Sequence, residues 1–361
     1  MLFNVALLIY LRFILAASSS VSMQDIIDNT KPDEETVLTE DDFRSFHSED
    51  ITKLGIKVKD DPTMGNKMEG DIVVENPRKP INNDNSNRYG RSAIRQAYRK
   101  WPNREIPYAL SSKYGSYARS VIAKAMQEYH NKTCVRFVPR DPIRHVDYIF
   151  IHPDDGCYSL VGKVGGRQSV SLDSGCIQVG TIVHELMHAV GFFHEQSRRD
   201  RDEYIEIVWR NVQNGADDQF EKRDRDEYIE IVWRNVQNGA DDQFENEIYF
   251  RYNYNIIDHL NEEYDYSSIM HYGPYAFSGS GRKTILPRKG GAERMGQRIA
   301  FSEGDIRKIN KLYRCNDSVH RNSLTDNDQT FYELTPITTV STDRTYLFNI
   351  IANRFGRIWI H

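Results

Sequence analysis

Residues 184–194 read HELMHAVGFFH, and no other stretch constrains the fold of this chain so tightly. His184 and His188 are four apart, the spacing that sets two side chains one turn above each other on a helix. Val179, Val183, Leu186 and Val190 form an apolar stripe on a different face, which can pack against strands. Two imidazoles at that spacing can reach one Zn2+ through nitrogen ligands at about 2.0–2.1 Å. Gly191 then allows the chain to leave the helix in a left-handed or otherwise strained conformation, and that turn can return His194 as a third ligand. Three nitrogens leave one position of a tetrahedral ion for water, the arrangement of a catalytic rather than a structural zinc. H-E-x-x-H alone also arises by composition on charged helices, but Gly191 and His194 in register make that reading a poor one.

Glu185 lies beside the first histidine and cannot easily point at the ion together with both ligands. It can reach water held there. Zinc lowers the pKa of such water to about 7, and a carboxylate that takes its proton yields a nucleophile for an amide carbonyl. The pattern therefore predicts peptide-bond hydrolysis with Glu185 as the base. Downstream, YDYSSIMHYGPYAFS (264–278) offers Met270 as a soft apolar floor beneath the imidazoles. His271 is an extra imidazole nearby that is not expected to ligate.

The chain of 361 residues has 39% hydrophobic content, enough for a real core. Its net charge of -5 provides no basic field for nucleic acid, which is excluded as a partner. Residues 2–17 form an apolar run broken by Arg12 and followed by small residues, too short for a membrane span, and residues 1–18 read as a secretory signal peptide. An uncleaved anchor is the alternative. Four cysteines fit an exported protein with two disulfides, and sequons at Asn131 and Asn316 agree with export and glycosylation. From Val21 to about Pro80 the chain is acidic and poor in aromatics, and is expected to bury little by itself. It leads to an Asn-rich stretch ending in Arg-Tyr-Gly-Arg, an exposed basic tip of the kind that trypsin-like proteases cut. Residues 19–91 thus read as a pro-region, with a plain linker as the alternative.

Helical spacing covers 117–130, and β-branched, aromatic runs at 134–140, 146–153 and 166–176 read as strands, so the body from Ser92 is expected to be α+β. RDRDEYIEIVWRNVQNGADDQFE then occurs at 199–221 and again, letter for letter, at 223–245. Solenoids need three or more units and tolerate drift, so a recent exon duplication or a gene-model error explains the blocks 199–222 and 223–246 better. Both copies carry the same Tyr, Ile, Val and Trp side chains for one docking place. The first, held close to His194, is expected to dock and the second to bulge out. Residues 316–361 form a cysteine-free tail of unclear structure.

The motif resembles the signature of the astacins, secreted metzincin zinc endopeptidases, and is nearest in pattern to nematode astacins. Their H-E-x-x-H-x-x-G-F-x-H-E-x-x-R-x-D-R-D is matched by His184, Glu185, His188, Gly191, Phe192, His194, Glu195, Arg198, Asp200, Arg201 and Asp202. The likeness runs from about Asp71 to Cys315, apart from the duplicate. It implies a zincin fold: an N-terminal subdomain with a mixed sheet and two long helices, one of them the zinc helix, and a largely irregular C-terminal subdomain holding the Met-turn. It also implies one Zn2+ per subunit, a catalytic domain spanning 92–315, and a monomer that acts on protein or peptide substrates after a trypsin-like protease cuts near Arg91/Ser92. Tyr272 matches the family tyrosine that hydrogen-bonds the oxyanion. Glu195 matches the residue that receives the new ammonium of Ser92. Met68-Glu69-Gly70-Asp71 resembles the latency motif, so Asp71 is expected on the zinc of the zymogen. Cys157 is expected to pair with Cys176, and Cys134 with Cys315. The duplication leaves one competing expectation, a catalytically silent, zinc-binding secreted interaction protein.

Overall fold

Short runs of Ile, Val, Tyr and Phe can bury their faces only by pairing, and they do so in a seven-stranded mixed sheet in the computed structural model, which describes residues 21–57, 61–73, 94, 97–220 and 260–315. Its strands are β1 (Glu35–Thr36), β2 (Ile72–Val73), β3 (Glu105–Ser111), β4 (Arg136–Pro139), β5 (Tyr148–His152), β6 (Cys157–Leu160) and β7 (Arg167–Leu172). Their order is β1-β3-β5-β7-β6-β2, with β4 also paired to β3. The inner pairs β3/β5 and β5/β7 are parallel, whereas β6 runs antiparallel to β7. Three strands fall inside the runs expected from sequence, at 136–139, 148–152 and 167–172. The all-buried β6 carries no alternation to reveal it.

Two long helices cover the sheet. They are preceded in sequence by the short α1 (Met23–Ile26) and α2 (Glu40–Arg44). α3 (Ser116–Lys132) contains the expected 117–130, and α4 (Val179–Val190) contains His184 and His188. Val121, Ile122, Ala125 and Met126 of α3 share one core with Ile106, Ile149 and Ile151 of the sheet and with Val183, Leu186 and Val190 of α4. Tyr129 of α3 donates its hydroxyl hydrogen to the Val183 carbonyl at 2.7 Å, which fixes α4 against α3. Asn131 is exposed near the end of α3.

The acidic N-terminal segment, expected to bury little by itself, buries its apolar side chains on the body instead. Ile26, Leu38, Ile51 and Ile56 all belong to the main core. The segment buries these side chains against the body's α3 and β3 rather than among themselves, which its own composition could not reveal.

A second, smaller core holds the C-terminal part, with little regular structure. β8 (Ile205–Ile207) pairs antiparallel with β9 (Ile285–Pro287), and Ile205, Phe220, Tyr264, Tyr266, Tyr272 and Ile285 pack together. β8 and Phe220 come from the first copy of the duplicated block. The second copy lies outside the described residues, as do residues 1–18, expected to be a signal peptide, the expected cut point near Arg91/Ser92, residues 246–255, Asn316 and the tail. α5 (Glu303–Leu312) opens with a capping box in which Ser302 and Asp305 satisfy each other's backbone N–H. Two disulfides close the body, Cys134–Cys315 and Cys157–Cys176, the second bracing the approach to α4. Among the described residues no helix is long and apolar enough to cross a membrane.

Candidate metal centre

His184 and His188 project from α4 with no exposed surface, and His194 is 1% exposed. Gly191 ends the helix at φ 128°, a region that side chains rarely adopt, and a Cβ there would lie 2.6 Å from Ile94 Cδ1. That turn brings His194 back to the other two rings. Each ring's Nδ1 is engaged: His184 donates to the Ile269 carbonyl at 2.7 Å, His188 to the Phe192 carbonyl at 2.7 Å, and His194 to Glu69 Oε2 at 2.9 Å. A carbonyl can only accept, so the proton of His184 and of His188 sits on Nδ1, and Nε2 presents a bare lone pair inward. Burial, reinforced at His184 by Arg298, holds both rings below the usual histidine range.

What faces those lone pairs is a carboxylate. Asp71, fully buried, lies with Oδ2 2.9 Å from His184 Nε2 and Oδ1 3.3 and 3.4 Å from the Nε2 atoms of His188 and His194. His184 and His194 Nε2 are 3.3 Å apart. Zinc bonds of about 2.0–2.1 Å at tetrahedral angles separate donors by about 3.3–3.4 Å, which is close to this spacing. Asp71 Oδ1 and His188 Nε2 are buried without a hydrogen-bond partner among the described residues. Acceptors crowded together and unsatisfied in a dry interior need a cation among them. At His194 burial is outweighed by Asp71 and Glu69, which raise the ring to about 9, so the local field favours positive charge. The four residues fit a zinc ion.

Around this cluster Glu185 is fully buried, and neither carboxylate oxygen has a hydrogen-bond partner among the described residues. Burial, then the charge of Asp71, pushes its carboxyl well above the usual range. Tyr272 packs its ring 4.8 Å from that of His194, and its buried hydroxyl likewise has no partner among the described residues. Met270 is buried in the main core, and its carbonyl accepts from Glu195 N at 3.0 Å. The turn around it is locked by Asp305, which accepts from Ser268 Oγ at 2.6 Å and Ile269 N at 2.9 Å. His271 stands apart from the cluster: Nδ1 donates to the Tyr272 carbonyl and Nε2 accepts from the Tyr264 hydroxyl, both at 2.7 Å.

The family model for the astacin peptidases matches residues 93–224 and 221–314, each stretch containing one copy of the duplicated block. The chain belongs to the astacin family. It is 62% identical to zinc metalloproteinase nas-4 of Caenorhabditis elegans over 300 residues, 82% of this chain and 85% of that protein. It is 44% identical to zinc metalloproteinase nas-13 of the same organism over 318 residues, covering 85% of this chain and 63% of that protein. A solved structure, high choriolytic enzyme 1, a hatching enzyme zinc-protease from Oryzias latipes, aligns at 38% identity with a TM-score of 0.48, covering 60% of this chain and 93% of that one. As an astacin the chain is a zinc metalloendopeptidase of α+β metzincin fold, and zinc is its cofactor.

Several contacts of this astacin centre have no local sequence signal. Glu69 reaches His194 from the residue between Met68 and Gly70, and Gly70 N donates to Gln219 Oε1 at 2.7 Å, so the first copy of the duplicated block grips the N-terminal segment. Arg298 donates to the Ile269 and His271 carbonyls, each at 3.0 Å, and to Asp61 Oδ2 at 2.9 Å. Glu195, singled out as the partner of a new N-terminus, is held by Lys308 Nζ at 2.7 Å, Arg198 Nη1 at 3.0 Å and Asp265 N at 3.0 Å. Burial alone would raise its carboxyl; Lys308 and then Arg198 bring it down to about 2.

Proposed function

We propose that the chain is the secreted zymogen of a zinc endopeptidase that hydrolyses peptide bonds in proteins. In this reading 1–18 is a signal peptide, 19–91 the pro-region, 92–315 the catalytic domain and 316–361 a tail. The observation that carries it is Asp71: a carboxylate from the N-terminal segment, wholly buried, sits against all three Nε2 atoms. Asp71 then occupies the place that water and substrate need, and a cut near Arg91/Ser92 by a trypsin-like protease frees the segment to leave. Two intact disulfides support an oxidising, extracellular destination.

His184, His188 and His194 would hold zinc through Nε2, with their Nδ1 partners fixing ring orientation. Zinc, when bound, supplies Lewis acidity that makes water acidic near neutral pH and polarises a carbonyl. Glu185, with both oxygens uncommitted, takes the proton of the attacking water and delivers it to the departing amide nitrogen. The Tyr272 hydroxyl, also uncommitted, donates to the oxygen that gains charge as the carbonyl becomes tetrahedral. Once the segment has left, substrate would lie along the edge of β6 that β2 now occupies, running parallel with Ile72 opposite Ser159. Glu195 is the acceptor proposed for the ammonium of Ser92, which must share a carboxylate already engaged by Lys308 and Arg198.

The other reading, a silent zinc-binding secreted interaction protein, draws on the duplication alone. Phe220 of the first copy packs edge-on against Tyr272 with ring centroids 6.1 Å apart, so that copy walls the centre, which favours the catalytic reading. Casein cleavage after limited trypsin treatment, with the cut fragment then removed by dilution and dialysis, separates the two. Wild type should cleave and Glu185→Gln should not. If both are inert while a chain lacking 223–246 is active, the silent reading holds for this form.

A further inference from the structure

The N-terminal segment meets the body at two stations, and only the second, residues 61–73, touches the metal centre. The first, residues 21–57, lies on β3 and α3. Arg119 of α3 is spent wholly on it in the hydrogen bonds described: Nε and Nη2 donate to the Asp42 carboxylate at 2.9–3.3 Å, Nη1 to Thr36 Oγ1 at 3.1 Å and Nη2 to the Val37 carbonyl at 2.5 Å. β1 extends the sheet by pairing Glu35 with Ser111 and Thr36 with Leu110. The Glu35 carboxylate takes Arg140 and the Tyr148 hydroxyl, the latter at 2.6 Å, and Asp33 takes Ser111 Oγ at 2.5 Å. Gly115 N donates to the Ile26 carbonyl at 3.1 Å, and a Cβ at Gly115 would lie 2.1 Å from Gln24 O, so only glycine admits the segment this closely.

We propose that this face of the catalytic domain, formed by the end of β3, the first turns of α3 and Arg140, is a docking surface whose occupant is residues 21–57. It keeps the cut pro-region bound as a separate peptide that goes on delivering Asp71 to the zinc site. The proposal rests on the zymogen reading and adds to it. All of these contacts are made by residues 24–42, which lie well upstream of the proposed cut near Arg91/Ser92. The acidic character of the segment acquires a purpose here, since Asp33, Glu35 and Asp42 meet hydroxyls and guanidinium groups of the body. Residues 61–73 hold the centre through β2, with Ile72 in the main core, and through Asp61, Glu69, Gly70 and Asp71. Tethered to a docked anchor they rebind as an intramolecular event, at the effective concentration that a short linker gives. One cut therefore does not complete activation; release of the anchor does.

Synthetic peptides test this against trypsin-activated full-length enzyme that has been freed of the cut fragment by dilution and dialysis. A peptide of residues 21–75 should inhibit casein cleavage at least about 100-fold more tightly than one of residues 60–75, within the gain that linkage provides. Labelled peptide 21–57 should bind by fluorescence anisotropy without inhibiting, and Asp42→Ala in that peptide should weaken binding about tenfold or more. Equal inhibition by the long and short peptides, or no binding by 21–57, overturns the proposal. If the uncut chain is already active and Asp71→Ala changes nothing, the zymogen reading fails, while the anisotropy with 21–57 still reports on the docking surface by itself.

Discussion

Replacing Lys308 by methionine should destabilise the uncut, zinc-loaded chain by an amount the structure allows to be worked out. Lys308 and Glu195 have side chains only 1% and 3% exposed and meet at 2.7 Å. Removing one partner of a buried pair costs about 3–5 kcal/mol, because the survivor is left charged and dry. Arg198 and the Asp265 N–H still hold the other Glu195 oxygen, both at 3.0 Å, so the loss belongs at the lower end. A loss of about 3 kcal/mol in a body of this size lowers Tm by about 6–12 °C. Calorimetry of wild type, Lys308→Met, Glu195→Gln and the double variant closes a cycle. The pair should show a coupling of about 2 kcal/mol, the double variant being less damaged than the sum of the singles. A Tm within about 2 °C of wild type for Lys308→Met, or strict additivity, would refute the inference that Lys308 is the principal counter-charge of Glu195.

Glu185→Gln should lower kcat by at least the 10²–10⁴-fold typical of a lost proton-transfer group, while zinc content measured by atomic emission stays at one per chain. Tyr272→Phe should lower kcat about 10²–10³-fold with little change in KM or bound zinc, the signature of a donor used on the developing oxyanion. Dialysis against a strong chelator should abolish cleavage and lower Tm, and added Zn2+ should restore both; activity that survives full removal of zinc would end the metal reading. For the docking surface, burial opposes the charge of Asp42, but Arg119 and the Thr39 backbone outweigh it and hold its carboxyl below the usual range. A depressed folded-state pKa contributes stability that is complete above the unfolded value of about 3.9 and is lost as pH falls through the folded one. Peptide 21–57 should therefore bind equally well from pH 5 to 7 and let go below about pH 4, as anisotropy would read.

The local chemistry of the centre was legible in the sequence because helix geometry converts spacing into direction. His184 and His188 had to share a face, and Gly191 had to break the helix for His194 to return. The cluster's fourth member, Asp71, was legible only through family resemblance, since nothing in four residues 113 positions upstream of His184 says where they fold. The docking of 21–57 was missed for the same physical reason carried further. Asp42 and Arg119 stand 77 residues apart, and an acidic segment with isolated Ile and Leu side chains looks unable to bury itself until its complementary face is known. Lys308 also escaped notice: on α5 it is one of several basic residues, and only packing against Glu195 sets it apart. Periodicity reports which face of an element turns inward, whereas a partner drawn from another element leaves no periodic trace.

The Cys134–Cys315 bond has a consequence for the repeated block. It closes a ring across a sequence separation of 181, and the second copy falls inside that ring. Ring-closure entropy grows only with the logarithm of circumference, so 24 added residues change it by about 0.1 kcal/mol. Both anchor points of the ring belong to the well-packed body, and neither lies in the repeat. Through ring size alone a tandem copy arising at this place costs almost nothing, so what selection can act on is the competition of its side chains with those of the first copy for one docking place.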